Sequence, residues 1–358
     1  MVVLGSTGSI GRNTLFIAKK LNLKVDALCA NKNSELLNRQ IEEFSPEFVA
    51  IGDETKAKEI NHPHVFAGFN GILEMIDATY KKDAILVNAL VGFSGLCPTI
   101  KALEKGYKVA LANKESLVIA GEFLDISCIS PIDSEHFGLW YLLGGRKPTK
   151  LILTASGGAF RDTPLKELSR VSLSETLNHP NWQMGQKITI DSATMVNKLF
   201  EILEAHWLFG SQDIDAIIET KSIIHALVQF ADGSTTAHLA NADMKLPIAF
   251  ALLGEISEPI LPALNLSQIK NIEFRDIDLK RYPVWQLHEK LLQKPYLGVV
   301  LNAANEVAIE LFLENKIAFT DMSSYVLKAM IEFENTRALS LDELFMIDKE
   351  VRMFCAKM

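Results

Sequence analysis

Cysteine is scarce. The 358 residues hold four, Cys29, Cys97, Cys128 and Cys355, with no CxxC pair and no flanking histidine cluster. This excludes a disulfide framework and a structural zinc, and predicts a reducing compartment. Basic tracts are missing as well. The net charge is −8 and basic runs stop at pairs such as Lys19-Lys20 and Lys81-Lys82, so neither nucleic acid nor an anionic membrane is expected as partner. No stretch reads as an uninterrupted transmembrane helix, and the start, Met1-Val2-Val3-Leu4-Gly5, lacks the basic, apolar and cleavage regions of a signal peptide. A cytoplasmic protein is expected. What remains is ordinary globular material, 48% hydrophobic and 22% charged, in a chain too long for one core.

Residues 1–130 alternate short apolar runs with helical patterns. Val2–Leu4, Val25–Cys29, Phe48–Ile51, Ala84–Asn88 and Val109–Ala112 read as strands, and strand–helix alternation predicts a parallel, doubly wound α/β sheet. Residues 131–253 read as a central α+β domain with a mixed sheet and one strong helix, Ala193–Phe209. Residues 254–282, rich in proline and polar side chains, read as a linker. Residues 283–358 read as a helical bundle, its last helix opened by a Ser340-x-x-Glu343 capping box.

The first strand runs into Gly5-Ser-Thr-Gly8-Ser-Ile-Gly11 and then a helix expected over Asn13–Leu21. This is a GxxGxxG variant of the dinucleotide loop, in which glycines admit the pyrophosphate and the helix start offers amide donors. After the second strand an NAD enzyme carries an acid for the ribose hydroxyl; here stand Asn31, Lys32 and Asn33. A lysine between two amides favours the 2′-phosphate of NADPH, unless Lys32 is simply a solvated loop lysine.

Three polar clusters follow. Asn113-Lys114-Glu115-Ser116 sits after a strand, at the edge where open α/β sheets bind ligands. In Asp133-Ser134-Glu135-His136, an extended backbone would point Asp133 and Glu135 to one side. Two convergent carboxylates suit Mg²⁺ or Mn²⁺, although Asp-x-Glu is also common on solvated surfaces. In the third cluster Asp191 and Ser192 are expected to open a helix on which Asn197, Lys198 and Glu201 share a face. That face suits a ligand with a phosphate at one end and a metal-bound group at the other, with Ser192 and Ser156 adding hydroxyls. A Lys–Glu helix pair with a serine cap is the plainer reading. Between the clusters, His179-Pro-Asn-Trp-Gln-Met-Gly-Gln-Lys187 carries Trp182 and Met184 in a polar loop, as either a closing lid or a static anchor. His206, Trp207 and His225 read as packing residues.

Together GSTGSIG, LANKES, PIDSEH, ASGGAF, HPNWQMGQKITIDSATMVNK with Glu201, and LNAANEVA resemble the 1-deoxy-D-xylulose 5-phosphate reductoisomerase family over nearly the whole chain. The resemblance implies a homodimer with a Rossmann domain, a central catalytic domain and a C-terminal helical bundle. It implies conversion of a small phosphorylated sugar by rearrangement and NADPH reduction. Asp133, Glu135 and Glu201 would hold the metal. Ser156, Ser192, Asn197 and Lys198 would hold the phosphate. Lys114, Ser134, Glu135 and His179 would contact the rest of the substrate, with Trp182 and Met184 on the closing loop. Thr7, Gly8, Ser9, Ile10, Asn31, Lys32, Asn33, Asn113, Glu115 and Gly185 would line the NADPH site. Lys114 and the metal-bound oxygens are the candidates for proton transfer.

Two departures stand out. Family members often carry His-Pro-Gln where this chain has Glu219-Thr220-Lys221, and the connection from Glu135 to Ser156 is short. Other readings are a simple NADP-dependent dehydrogenase, which has no need of the metal carboxylates, and an inactive dinucleotide sensor, which would have lost site residues.

Overall fold

In the computed structural model, which describes residues 1–358, the chain divides into two compact units. The first comprises residues 1–116, 124–133 and 243–261; the second comprises 117–123, 134–242 and 262–358.

The first unit is built on seven parallel strands: β1 (Val2–Leu4), β2 (Ala27–Ala30), β3 (Phe48–Ile51), β4 (Val65–Ala67), β5 (Ile85–Asn88), β6 (Lys108–Leu111) and β7 (Ile129–Pro131). Their order is β4-β3-β2-β1-β5-β6-β7. Every residue of β1 and β2 is buried, as expected of strands covered on both faces. The order reverses between β1 and β5, the switch point where doubly wound sheets take their ligand. The sequence pattern misses β4 and β7, each only three residues long, the latter ending in proline.

The units cut across the expected boundaries. The Lys245–Leu253 helix places Ile248, Ala249 and Leu252, with Ile260 beyond it, in the same core as Val3, Leu28, Val87 and Ala110. Residues 243–261 therefore belong to the first unit, instead of ending a central domain and starting a linker.

The second unit holds a five-stranded mixed sheet: β8 (Lys150–Ala155), β9 (Ile214–Glu219), β10 (Ile224–Gln229), β11 (Thr235–Leu239) and β12 (Phe274–Arg275), in the order β11-β10-β8-β9-β12. The Gly298–Leu313, Phe319–Glu332 and Leu341–Cys355 helices lie in this unit too. Contrary to the sequence reading, Pro295–Leu313 is long and apolar enough to cross a membrane by length and composition, but most of it is buried as core.

The expected helix Ala193–Phe209 is two helices, Gln186–Thr194 and Val196–Phe209, separated by Met195 at φ +73. Asp191 and Ser192 thus lie in the last turn of one helix, not at the start of another. Ser192 therefore offers its hydroxyl from the C-terminal end of a helix. Glu135 is also not in an extended segment: it occupies the first turn of the Ser134–Leu143 helix.

Candidate active site

The glycine loop is shaped by what its residues lack. Gly5 adopts φ +76, and a Cβ there would stand 2.5 Å from the Ala89 carbonyl oxygen, so only glycine lets β1 turn beneath the end of β5. The following helix runs Ser9–Lys20, starting earlier than the expected Asn13, with Gly8 as its cap and no side chain there to occupy the first-turn amides. Those amides, from Ser9 onward, are donors without intrahelical partners and suit an anion. Thr7, Ser9 and Ile10 are half-buried and Gly8 is exposed. Gln40 clasps the loop from beneath: Ser6 Oγ donates to its carboxamide oxygen at 2.7 Å, and its Nε2 donates to the Ser6 carbonyl at 2.9 Å.

At the end of β2, Asn31, Lys32 and Asn33 are all exposed. Asn33 caps the Ser34–Phe44 helix by accepting the Leu36 N–H at 3.0 Å. Asn113, expected against the cofactor, is fully buried and held by the protein: its Nδ2 donates to the carbonyls of Leu90 at 3.1 Å and Gly92 at 2.8 Å and to Glu115 at 3.1 Å. It shapes the loop after β5. In the same unit Lys114 and Asp133 are buried and form an ion pair.

The second unit gathers the remaining charges. Lys198, 3% exposed, donates to Glu135 at 2.9 Å, to the Thr154 carbonyl at 2.5 Å and to Glu201. Glu201, 1% exposed, also accepts from Asn197 at 2.5 Å, and Ser134 donates to Glu135 at 2.5 Å. Two carboxylates therefore converge on one positive charge within a polar, oxygen-rich shell. That donor set fits a hard divalent cation.

Two residues beyond Thr154, the Ser156-Gly157-Gly158 turn begins. Gly158 has φ +67, and a Cβ on it would lie 2.6 Å from the Ser192 carbonyl, so the turn packs against the end of the Gln186–Thr194 helix. This brings three predicted residues together: His179 Nε2 lies 2.8 Å from Ser156 Oγ and 3.3 Å from Ser192 Oγ. His179 Nδ1 accepts two backbone N–H groups, from Asn181 at 3.1 Å and Trp182 at 2.9 Å. The proton of the neutral ring is thereby assigned to Nε2, facing the hydroxyls. Burial, then the positive charge of Arg161, lowers the His179 pKa to about 4. The result is a neutral N–H and two hydroxyls aimed at one spot, donors matched to an anion.

Asn197 and Lys198 are engaged by Glu201 and not by these hydroxyls, so the structure sorts the expected phosphate residues into two adjoining groups. Trp182 and Met184 are half-buried; the Trp182 ring meets His225 edge-on at 6.1 Å. Gly185 caps the Gln186–Thr194 helix and is exposed. His225 is a core histidine, its Nε2 3.2 Å from the Ala240 carbonyl. Sequence reasoning missed Arg161, which bridges the carbonyls of Ser156 and Thr220, and Asn181, which bonds Thr220 and Ser222. Their only signal was position, inside a quoted loop or just beyond a glycine turn.

A switch-point glycine loop in one unit and an oxygen-donor cluster in the other define a dinucleotide-dependent, metal-using oxidoreductase. Family models described as 1-deoxy-D-xylulose 5-phosphate reductoisomerase match residues 1–121, with that enzyme's C-terminal domains matching 129–209 and 239–354. The reductoisomerase of Nautilia profundicola is 55% identical, covering 99% of this chain and 99% of that one. That of Wolinella succinogenes is 50% identical over 100% of both. Among solved structures, a DOX-P reductoisomerase with NADPH, fosmidomycin and magnesium superposes with a TM-score of 0.92 at 32% identity, covering 99% of this chain and 97% of that one. A Zymomonas mobilis reductoisomerase with NADPH gives 0.89 at 32% identity, with the same coverages. The chain belongs to the 1-deoxy-D-xylulose 5-phosphate reductoisomerase family.

Proposed function

We propose that this protein converts 1-deoxy-D-xylulose 5-phosphate to 2-C-methyl-D-erythritol 4-phosphate, in non-mevalonate isoprenoid biosynthesis, using NADPH and a divalent metal, Mg²⁺ or Mn²⁺. The observation that carries this reading is the joining, along the end of β8, of the Glu135–Lys198–Glu201 cluster to the Ser156–His179–Ser192 donors. A simple dehydrogenase has no use for the first group. A sensor has no reason to keep both.

Asp133, Glu135 and Glu201 are the proposed metal ligands, and Ser156, Ser192, Asn197 and Lys198 the phosphate ligands. Lys114 and Ser134 contact the remainder of the substrate, and His179, whose Nε2 lies beside the Ser156 and Ser192 hydroxyls, joins the phosphate ligands. Thr7, Gly8, Ser9, Ile10, Asn31, Lys32, Asn33, Asn113, Glu115 and Gly185 serve the NADPH site, Asn113 by shaping its loop. When bound, NADPH supplies the hydride and the metal supplies Lewis-acid polarisation of the ketone and its neighbouring hydroxyl. The chain's own part is positioning. Ser156 and Ser192 hydroxyls and the His179 Nε2–H hold the phosphate end, which fixes the reacting carbons at the other. Trp182 and Met184 close the loop over the substrate and exclude water. Lys114, ion-paired with Asp133, is the residue proposed to move a proton.

The test is incubation with 1-deoxy-D-xylulose 5-phosphate, Mn²⁺ and NADPH, following loss of the reduced cofactor and identifying the product by NMR. A branched product supports the proposal; an unbranched sugar alcohol establishes a plain dehydrogenase.

A homodimer is proposed on the edge strand β11, beside which Trp140, Tyr141 and Leu239 are exposed. Sedimentation at micromolar concentration checks it. A cytoplasmic location is proposed on the four free cysteines.

A further inference from the structure

Glu219 ends β9 with no exposed surface. Its carboxylate accepts three backbone N–H groups, from Lys221 at 2.8 Å, Ile223 at 2.7 Å and Ile224 at 3.2 Å. Amides converging in this way form an anion-holding concavity, here filled from within the chain. Ser222 sits in the turn at φ +54, a conformation that a non-glycine residue keeps only where its surroundings hold it.

Two arms leave this turn. Asn181 Nδ2 donates to the Thr220 carbonyl at 3.0 Å and to Ser222 Oγ at 2.7 Å, while the Asn181 backbone N–H donates to His179 Nδ1. Arg161 Nη1 donates to the same Thr220 carbonyl at 2.6 Å and to the Ser156 carbonyl at 2.9 Å. On the outer side Lys221 Nζ donates to the carbonyls of Ile269 at 2.6 Å and Asn271 at 2.7 Å, anchoring the turn.

We propose that Glu219 is a positioning residue: by holding the 219–224 turn it fixes Asn181 and Arg161, and through them the His179 tautomer and the Ser156 hydroxyl that meet the substrate's phosphate. The proposal rests on the reading of those two residues given above. A carboxylate suits the task because only an acceptor with two oxygens satisfies all three amides. Glu219→Gln keeps the shape but turns an NH₂ group toward an amide donor.

The experiment uses the full-length chain in four forms: wild type, Glu219→Gln, Asn181→Ala and the double variant. The first readout needs no ligand. Ring ¹⁵N shifts of His179 are expected to pass from one Nε2–H tautomer in wild type to a mixture in each variant. Hydrogen exchange at the Asn181 and Trp182 amides should quicken about tenfold, the loss of roughly one hydrogen bond, while β8 and β10 keep their protection. In the second readout KM for 1-deoxy-D-xylulose 5-phosphate rises about tenfold in each single variant, with kcat within about twofold. The double variant should be no worse than the weaker single one, since both act along one relay. Unchanged ring and amide signals in Glu219→Gln, or additive effects on KM, overturn the proposal. If Glu219→Gln does not fold, Asn181→Ala still decides it, and unchanged His179 signals there have the same force. A wild type without turnover would remove the functional reading, whereas the ring and amide signals judge the relay by themselves.

Discussion

The two units build their sites from different material. In the first, the glycine loop offers backbone: Gly5 admits the close approach, Gly8 leaves the helix amides open, and Gln40 braces the loop from a buried position. In the second, side chains make the site and neutralise one another, with Lys198 between two carboxylates and His179 between amides and hydroxyls. A backbone site fails when an atom is added. A side-chain site fails when a charge or a donor is changed at constant shape.

The sharpest test of that contrast is Glu201→Gln, which adds no bulk. It is expected to lower kcat/KM on the order of 10³-fold, through loss of several kcal/mol of metal-dependent stabilisation. Chelation should likewise stop turnover, and Mg²⁺ or Mn²⁺ should restore it. Near-normal activity of Glu201→Gln would break the assignment. Next is Gly5→Ala, which changes no charge. Its Cβ meets the Ala89 carbonyl at 2.5 Å in a left-handed backbone, so stability should fall by about 1–3 kcal/mol and NADPH affinity should drop with it. Cofactor fluorescence titration and thermal melting read both; a variant that binds NADPH normally would show that the loop has slack.

A smaller loss of stability is expected for Trp182→Ala. The ring is half-buried, so the cost should stay below the ~3–5 kcal/mol of a fully buried aromatic, while turnover falls. Ligand-induced fluorescence change should shrink in Trp182→Phe. Low melting temperature with normal turnover per folded molecule would make Trp182 a static anchor.

The smallest effect concerns pH. Burial holds His179 and His238 at about 4, below the ordinary 6.5 of histidine. The unfolded chain takes up protons first as pH falls, so both rings contribute stability above about 6.5 that drains away toward 4. His179→Gln should flatten part of that slope in melting curves between those limits, leaving the His238 share. An unaltered slope would show that His179 takes up its proton alike in the folded and unfolded chain.

Much of the first site was legible because glycine spacing and strand–helix alternation are local signals. The Ser156-Gly157-Gly158 turn and the Asn197, Lys198 and Glu201 face were legible for the same reason. The helix break at Met195 was not, since a methionine at φ +73 leaves no compositional mark. Glu135 was misread because an Asp-x-Glu pair looks alike in a strand and in a helix start. The Lys245–Leu253 helix was placed with its sequence neighbours because the core that receives it comes from residues near the other end of the chain. Arg161 and Asn181 stayed hidden because the Thr220 carbonyl they share lies 59 and 39 positions away. No window of sequence contains both ends of such a bond.

Lys198 gives the enzyme a way to wait. Two carboxylates brought this close, Glu201 buried and Glu135 partly so, would repel each other if left bare, yet they keep a tethered cation between them. Removing the metal should therefore silence the protein without unfolding it. With two carboxylates to one ammonium, the Glu135–Lys198–Glu201 cluster keeps a net negative charge, which draws in a divalent cation.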